Sequence, residues 1–373
     1  MRQGDTESFD GLKSLEFALF IKYWYNNSAP LRAILTMPDI IGNKINQNSS
    51  RTPVLAGQEK VVHFLEHSVK HGKTVHAYGF FGPRGIGKKR LVDFFVQALL
   101  CNENVGIPCG RCRNCILFAQ NNHTDVYKVI KDSEEKNIGI EKMREMRGRI
   151  YLAPSLSRRN IAIIYDAHTL SVEAQNSILK VLEETPKSAI IILITDFWDS
   201  LLPTLRSRLL GIRLNNISTG QMIECLKQEY SEMSGEFIRR AVLLAFGKIE
   251  LARGLIDDKT LLEAAEKEHK EALQFLTSHK SEQLKMLYDV FGKSMSFIEQ
   301  QNSGLKFANN LLIAAEWAVY EKFGIKEALP AFESNKDITD LAEISKGLFN
   351  IMDLLKKNIS PKLAFEQFIW NIN

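Results

Sequence analysis

The chain has 373 residues, 45% of them hydrophobic and 25% charged, with a formal net charge of +4. That length suits two or three domains with buried cores, and so mild a charge neither demands nor excludes a nucleic-acid partner. No apolar run approaches the roughly 18 residues of a membrane span, and Phe17–Ile21 runs into Lys22, Tyr23 and Trp24 without a signal-peptide cleavage site, so the chain reads as cytoplasmic.

Residues 1–50 mix an aromatic cluster, FIKYWY, with turn-rich polar stretches such as INQNSS and sustain no period. The expectation there is a loosely ordered extension, or an upstream start with Met37 as the true one. From about Thr52 to Leu214 apolar runs alternate with helical patterns. The runs AYGFF (77–81), DVYKVI (125–130), NIAIIYD (160–166) and AIIILIT (189–195) predict strands; Lys88–Leu100, Glu141–Tyr151 and Ser171–Glu184 predict helices. In the last of these Ala174, Ile178, Leu179 and Leu182 share a face, and Ser171 is placed to cap the start. Strands that are apolar throughout and separated by helices imply a parallel sheet covered on both faces. Beyond Leu214 that pattern stops. Residues 218–257 carry short helical patterns, and further on Ala308, Leu311, Leu312, Ala315 and Val319 keep a helical period. The fold class is α/β first and all-α afterwards.

Two motifs carry chemistry. CNENVGIPCGRCRNC brings Cys101, Cys109, Cys112 and Cys115 together, with two C-x-x-C steps sharing Cys112. Four thiolates so crowded can close a tetrahedral zinc site with no position left for water, which makes it structural, and in a reducing compartment disulfides are the poorer reading. Gly110 suits the tight turn between close ligands. Cys225, alone in a helical pattern, reads as core, and His123 as a loop residue.

The second motif is GFFGPRGIGKKR at 79–90, where Gly82, Gly87 and Lys88 fit G-x-x-x-x-G-K-[ST] and Gly85 lies between them. A strand before it and a helix after it would aim backbone N–H groups and a helix dipole at phosphate, with Lys88 adding charge. Magnesium, however, needs a loop hydroxyl and an acid at the end of a buried strand. Lys89 stands where the hydroxyl belongs. Whether ATP and Mg2+ still occupy the loop is left open by the sequence.

The succession GQEKVVHFLEHSVKHGKTVHAYGFFGPRGIGKKR, CGRCRNC, NHTDVY, IAIIYDAHTLSVEAQNSILKVLEETP and LLPTLRSR resembles the AAA+ subunits of the bacterial DNA polymerase III clamp loader, over roughly 54–213. KKNISPKLAFEQFIWNIN is similar to the end of their helical collar. The resemblance implies an AAA+ domain at 51–214 with a zinc module at 101–115, a helical lid at 215–275 and a collar at 276–373. It also implies a hetero-oligomeric ring with gamma/tau and delta subunits and, through that complex, the sliding clamp and primer–template DNA.

Within the family the chain is more similar to the delta-prime type than to the ATP-hydrolysing gamma/tau type. Where the motor subunits carry Asp-Glu after the strand, this chain has Tyr165 and Asp166; where their lid carries a phosphate-sensing Arg, GKIE has Glu250. Thr195 matches the family's sensor position. With Lys89, these departures imply no independent ATPase activity. LRSR (205–208) resembles the family's Ser-Arg-Cys motif with Leu209 in place of the Cys, which implies Arg208 as an arginine finger acting in trans, with Arg206 as the alternative. Two other readings are a gamma/tau-type motor that tolerates the substitutions and a zinc-stabilised DNA-binding module. The second lacks a basic stripe or an aromatic stacking patch, and Arg158–Arg159 reads as a solvated loop.

Overall fold

The structure is a computed structural model that describes residues 57–371 apart from 104–105, 133–134, 136, 246, 292–294, 323–337 and 358. The expectations for residues 1–50 and Met37 lie outside the described residues. Chain order runs α1 Glu59–Lys70, β1 Ala77–Phe81, α2 Lys88–Leu100, α3 Arg113–Ala119, β2 Val126–Val129, α4 Ile140–Ile150, β3 Asn160–Ile164, α5 Val172–Glu183, β4 Ala189–Thr195, α6 Pro203–Arg206 and β5 Leu210–Arg213. It continues with α7 Thr219–Glu229, α8 Gly235–Ala245, α9 Ile249–Asp257, α10 Lys259–Thr277, α11 Lys280–Val290, α12 Phe297–Lys322, α13 Ile338–Lys356 and α14 Pro361–Asn371.

Among the described residues the strands form one sheet in the order β2-β3-β4-β1-β5, every pairing parallel. The apolar runs have a direct physical reason. Along β3, Ile161 and Ile163 enter one core while Ala162 and Ile164 enter the other; along β4, Ile190, Ile192 and Ile194 oppose Ala189, Ile191 and Leu193 in the same way. Successive strand residues point to opposite faces, so a strand covered on both sides must be apolar at every position. One face packs on α1 and α2 through Leu65, Leu91, Phe94 and Phe95, the other on α4 and α5 through Met143, Met146, Ile178 and Val181.

The capping expectation holds: Ser171 accepts a hydrogen bond from the Ala174 amide, and Ala174, Ile178 and Leu182 are buried, with Leu179 packed partly buried beside them. β5 was not legible in the sequence. Only Ile212 of its four residues is buried, because β5 is an edge strand. Its pairing with β1 brings Gly211 level with Gly79, and the Trp198 ring lies across both; a Cβ at Gly79 would stand 2.5 Å from that ring. Phe81 stacks on the same indole at a centroid distance of 4.4 Å, which fixes the turn that follows β4.

The chain divides into two compact units, one ending at Leu262 and the other holding the residues from Glu263 onward, so that α10 begins in the first and runs on into the second. The second unit is helical, with a core built from Phe275, Leu287, Leu311, Leu348 and Phe365. Ala308, Leu311, Leu312 and Ala315 are buried as their period predicts, while the side chain of Val319 lies outside the described residues. No helix among the described residues is long and apolar enough to cross a membrane.

Candidate functional site

The turn between β1 and α2 has the shape of an anion cradle. Gly85 (φ 83°) and Gly87 (φ 91°) occupy the left-handed region that disfavours any residue with a Cβ. Gly87 is the N-cap of α2 and offers no side-chain cap, so the helix's first amides face the turn. Lys88 is buried behind them. Its ammonium donates to the carbonyls of Gly82 (2.8 Å) and Pro83 (2.7 Å) and pairs with Asp196 (2.7 Å), which uses all the donors it has. Burial draws Lys88 below its ordinary value, with Asp196 and then Asp166 opposing.

Asp166 and Asp196 approach from the ends of β3 and β4, and with His168 their ligand atoms lie within 4.8 Å of one another. Asp166 carries a positive φ of 47°, unusual for a non-glycine and typical of strained sites. Thr195, expected as a sensor, is fully buried; its hydroxyl donates to the Phe197 carbonyl and accepts from the Phe197 amide, each at 3.1 Å.

The two departures from the motor pattern meet in space. The Lys89 ammonium lies 5.1 Å from the centroid of the Tyr165 ring, a cation–π pair. Tyr165 is buried, and burial, helped by Asp93, pushes its phenol far above the ordinary range and keeps it neutral. Asp93, one turn further along α2, is pushed up to about 6 by burial against the pull of Lys128 and Lys89, and its Oδ1 finds no hydrogen-bond partner among the described residues. A cationic nitrogen and a neutral phenol offer magnesium no ligand at the two positions where a hydroxyl and a carboxylate would hold it. Lys89 and Tyr165 do not fit Mg2+, while Asp166, His168 and Asp196 nearby are the group that offers ligand atoms for a metal ion.

The segment after α8 lies against the loop. The Glu250 amide donates to the Gly85 carbonyl at 3.0 Å, and Lys248 packs where a Gly85 Cβ would be. Behind Glu250 runs a string of charges: Arg253 to Glu250 at 2.6 Å, Arg253 to Glu229 at 3.0 Å, and Arg90 of α2 to Glu229 at 2.8 Å. Arg253 is only 5% exposed. Sequence reasoning marked Glu250 but passed over these partners. The three-residue spacing from Glu250 to Arg253 on a helix was the available signal.

Arg208 follows the short helix α6. It donates to the Thr204 carbonyl at 3.0 Å and pairs with Glu183 at 2.7 Å, and its side chain is 40% exposed. Arg206 is tucked closer, paired with Asp199 at 2.5 Å. Leu209, in the place of the expected Cys, is buried in the core on the α4–α5 face of the sheet.

The cysteines do come together. All four Sγ atoms lie within 4.8 Å of one another, with Cys101 and Cys115 buried and the other two partly so. Amide-to-sulfur hydrogen bonds from Cys109, Cys112 and Cys115 reach the preceding cysteine of the set at 3.3–3.5 Å, the pattern that favours thiolates. Gly110 takes φ 71°, as a tight turn requires. The donor set fits tetrahedral zinc. Asn114, 2% exposed, moors this module through the carbonyls of Leu100 (2.9 Å) and Leu156 (3.5 Å). Cys225 is buried in α7 as expected.

His123 does lie in a loop, yet it is buried, its Nδ1 accepting from the Asp125 amide at 3.2 Å. The Asp125 carboxylate, overlooked in the sequence, accepts from the amides of Ser155, Leu156 and Ser157 and from both serine hydroxyls.

Residues 57–218 match the family described as DNA polymerase III, delta subunit. The chain is 30% identical over 219 residues to the DNA polymerase III subunit gamma of Buchnera aphidicola subsp. Baizongia pistaciae, covering 54% of this chain and 58% of that one. It is 35% identical over 155 residues to subunit gamma/tau of Mycobacterium tuberculosis (41% and 27% covered). It is 34% identical over 134 residues to subunit delta' of Pseudomonas aeruginosa (36% and 41% covered). The chain thus spans less than two thirds of the length of these curated relatives.

Proposed function

We propose, from the match of residues 57–218 to the family described as DNA polymerase III, delta subunit, and from the likeness to gamma and delta' subunits, that the chain is a clamp-loader subunit of the delta-prime type that does not hydrolyse ATP itself. In this reading it is a rigid stator in a ring with gamma/tau and delta subunits in the cytoplasm. Its α/β body carries a structural zinc on Cys101, Cys109, Cys112 and Cys115, and Arg208 reaches the ATP site of a neighbouring gamma/tau subunit. The sliding clamp and primer–template DNA are met through the complex, as part of a DNA-directed DNA polymerase. Residues 215–275 serve as its lid and 276–373 as its collar.

The observation that carries the reading is the Lys89–Tyr165 pair at 5.1 Å, which removes both magnesium ligands at once. Without the metal, nothing here bridges the β- and γ-phosphate oxygens of a transferring phosphoryl group, and catalysis of that transfer is mostly positioning and electrostatics. The guanidinium of Arg208 has the opposite character. Its pair with Glu183 is exposed on both sides, and such pairs are worth only about 0–1 kcal/mol, so little opposes its release toward a phosphate next door.

In a reconstituted loader, Arg208→Ala should lower DNA-dependent ATP turnover at least ~10-fold at the site it serves, by loss of finger charge. Unchanged turnover would remove the assignment. The isolated chain should hydrolyse ATP no faster than its own Lys88→Ala variant. A second reading, a gamma/tau-type motor, is favoured by the names of two of the relatives, and turnover by the lone chain that Lys88→Ala abolishes would establish it.

A further inference from the structure

Three of the eight histidines stand in a row along α1, four residues apart: His63, His67 and, as the residue that caps the helix end, His71. All three are exposed, while Val62, Leu65 and Val69 turn the other side of the helix into the core. Nothing in that packing calls for an imidazole. The rings nevertheless lie against one another. The His67 and His71 centroids are 4.1 Å apart with their planes tilted by 41°, and those of His63 and His67 are 6.4 Å apart. The His71 amide donates to the His67 carbonyl at 3.1 Å, which fixes the spacing of the closer pair. Among the described residues neither ring of that pair spends a nitrogen on a protein partner.

Such a row supplies two ligands at a time, not three. Four residues advance an α-helix by roughly 6 Å and about 40° past one turn, so neighbours in the row can meet on one ion while His63 and His71 cannot. The groups of three or more ligands among the described residues are elsewhere, at the cysteines and at Asp166, His168 and Asp196. Imidazole nitrogen suits Cu2+, Ni2+ and Zn2+, and two histidines four apart on one helix face are a known way of presenting it to them. Lys73 and Lys70 are the fixed cations that bear on His67. A hard ion such as Mg2+ or Ca2+ would meet their repulsion with nitrogen in place of the oxygen ligands it needs. The same end of α1 abuts the cysteine module: a Cβ on Gly106 would stand 2.5 Å from the Glu66 carbonyl oxygen and 3.3 Å from the Lys70 Cβ.

We infer that His67 and His71 form a two-imidazole chelate for a divalent transition metal of the Cu2+, Ni2+ and Zn2+ class, with His63 outside it. Water completes the coordination, since both rings are exposed. The ion ties the last turn of α1 to its cap, beside the loop that carries Gly106. This site is separate from the four cysteines and from the loop at 82–88, and it stands whether or not the chain is a clamp-loader subunit.

The test is titration of the full chain, loaded with zinc beforehand, with Cu2+ at neutral pH, followed by electron paramagnetic resonance. The first equivalent should show two nitrogens in the copper coordination plane. His67→Gln and His71→Gln should each leave one nitrogen and weaken binding at least ~10-fold. His63→Gln should bind as wild type does, and so should His76→Gln, at an exposed histidine outside the row. All four positions are exposed, so the variants should keep the melting temperature of wild type without copper. Excess Ni2+ should compete for the site and excess Mg2+ should not. Two-nitrogen binding that survives in both His67→Gln and His71→Gln would overturn the assignment, as would sulfur ligation of the first equivalent in wild type. A loss in His63→Gln as large as that in His71→Gln, or competition by Mg2+, would do the same. Half-saturation only at millimolar copper would mean an adventitious ion only, and no site.

Discussion

Replacing Asp125 by Ala should cost the α/β unit about 3 kcal/mol, a figure that follows from counting donors left behind. The carboxylate accepts from the amides of Ser155 (2.8 Å), Leu156 (2.8 Å) and Ser157 (2.7 Å) and from the hydroxyls of Ser155 (2.8 Å) and Ser157 (3.0 Å). Both hydroxyls can rotate to other acceptors, and Ser155 is exposed, so its amide recovers water. The amides of Leu156 and Ser157 are half-buried and cannot do so fully. Each orphaned donor costs roughly 1–2 kcal/mol, and losing the charge-assisted character adds to that. Asp125→Asn keeps one acceptor and should lose about half as much.

The same site makes a prediction about acid. Burial alone would raise the Asp125 carboxyl, but hydrogen bonds from Ser155, Ser157 and Leu156 outweigh it and hold the group far below its ordinary 3.8. A folded-state value below the unfolded one means the stabilisation is complete above about pH 4 and fades as pH falls through and below it. Wild type should therefore lose stability more steeply on acidification than Asp125→Ala. Urea unfolding combined with hydrogen exchange of the β2 and β3 amides measures both effects. A variant within about 0.5 kcal/mol of wild type at neutral pH, or parallel acid limbs, would refute the account. Asn114 reaches the Leu156 carbonyl, so the cysteine module should loosen as well.

His269, buried in α10 with its Nδ1 unpartnered among the described residues, is drawn down to about 4 by burial. Its neutral form is favoured in the folded state, so stability of the C-terminal unit is full above about pH 6.5 and falls by up to about 3 kcal/mol on the way to pH 4. His269→Phe should flatten that limb in thermal melts at pH 7.5 and pH 5; equal slopes would refute the assignment. Metal-replete protein should carry one equivalent of zinc by elemental analysis, and chelation or Cys112→Ser should lower the melting temperature of the α/β unit. Less than half an equivalent would sink the zinc reading.

Local pattern was sufficient for the elements buried on both sides. A strand such as AIIILIT has no polar position to hide, and a run of that length between breakers has few other homes. The cysteine spacing was equally legible, because ligands close in sequence cannot be far apart in space. The substitutions Lys89, Tyr165 and Glu250 could be seen one by one against a resemblance. That Lys89 and Tyr165 face each other could not, since they come from α2 and the end of β3. β5 was invisible for a related reason: an edge strand of four residues is defined by its register with β1 and not by its own composition.

Sequence by itself determined the strands β1–β4 and the helices α2, α4 and α5 between them, where four thiols gather, and which loop residues depart from a phosphate-binding pattern, because each depends on neighbours along the chain. Only the tertiary structure decided that Lys88 is spent on Asp196 and that Glu250 pairs with Arg253, which Glu229 joins to Arg90. It also decided that Asp125 pins a loop some thirty residues away in the chain. Those partners are joined by charge and hydrogen bonding across separate elements, and such pairings exist only after the sheet has set its strand order.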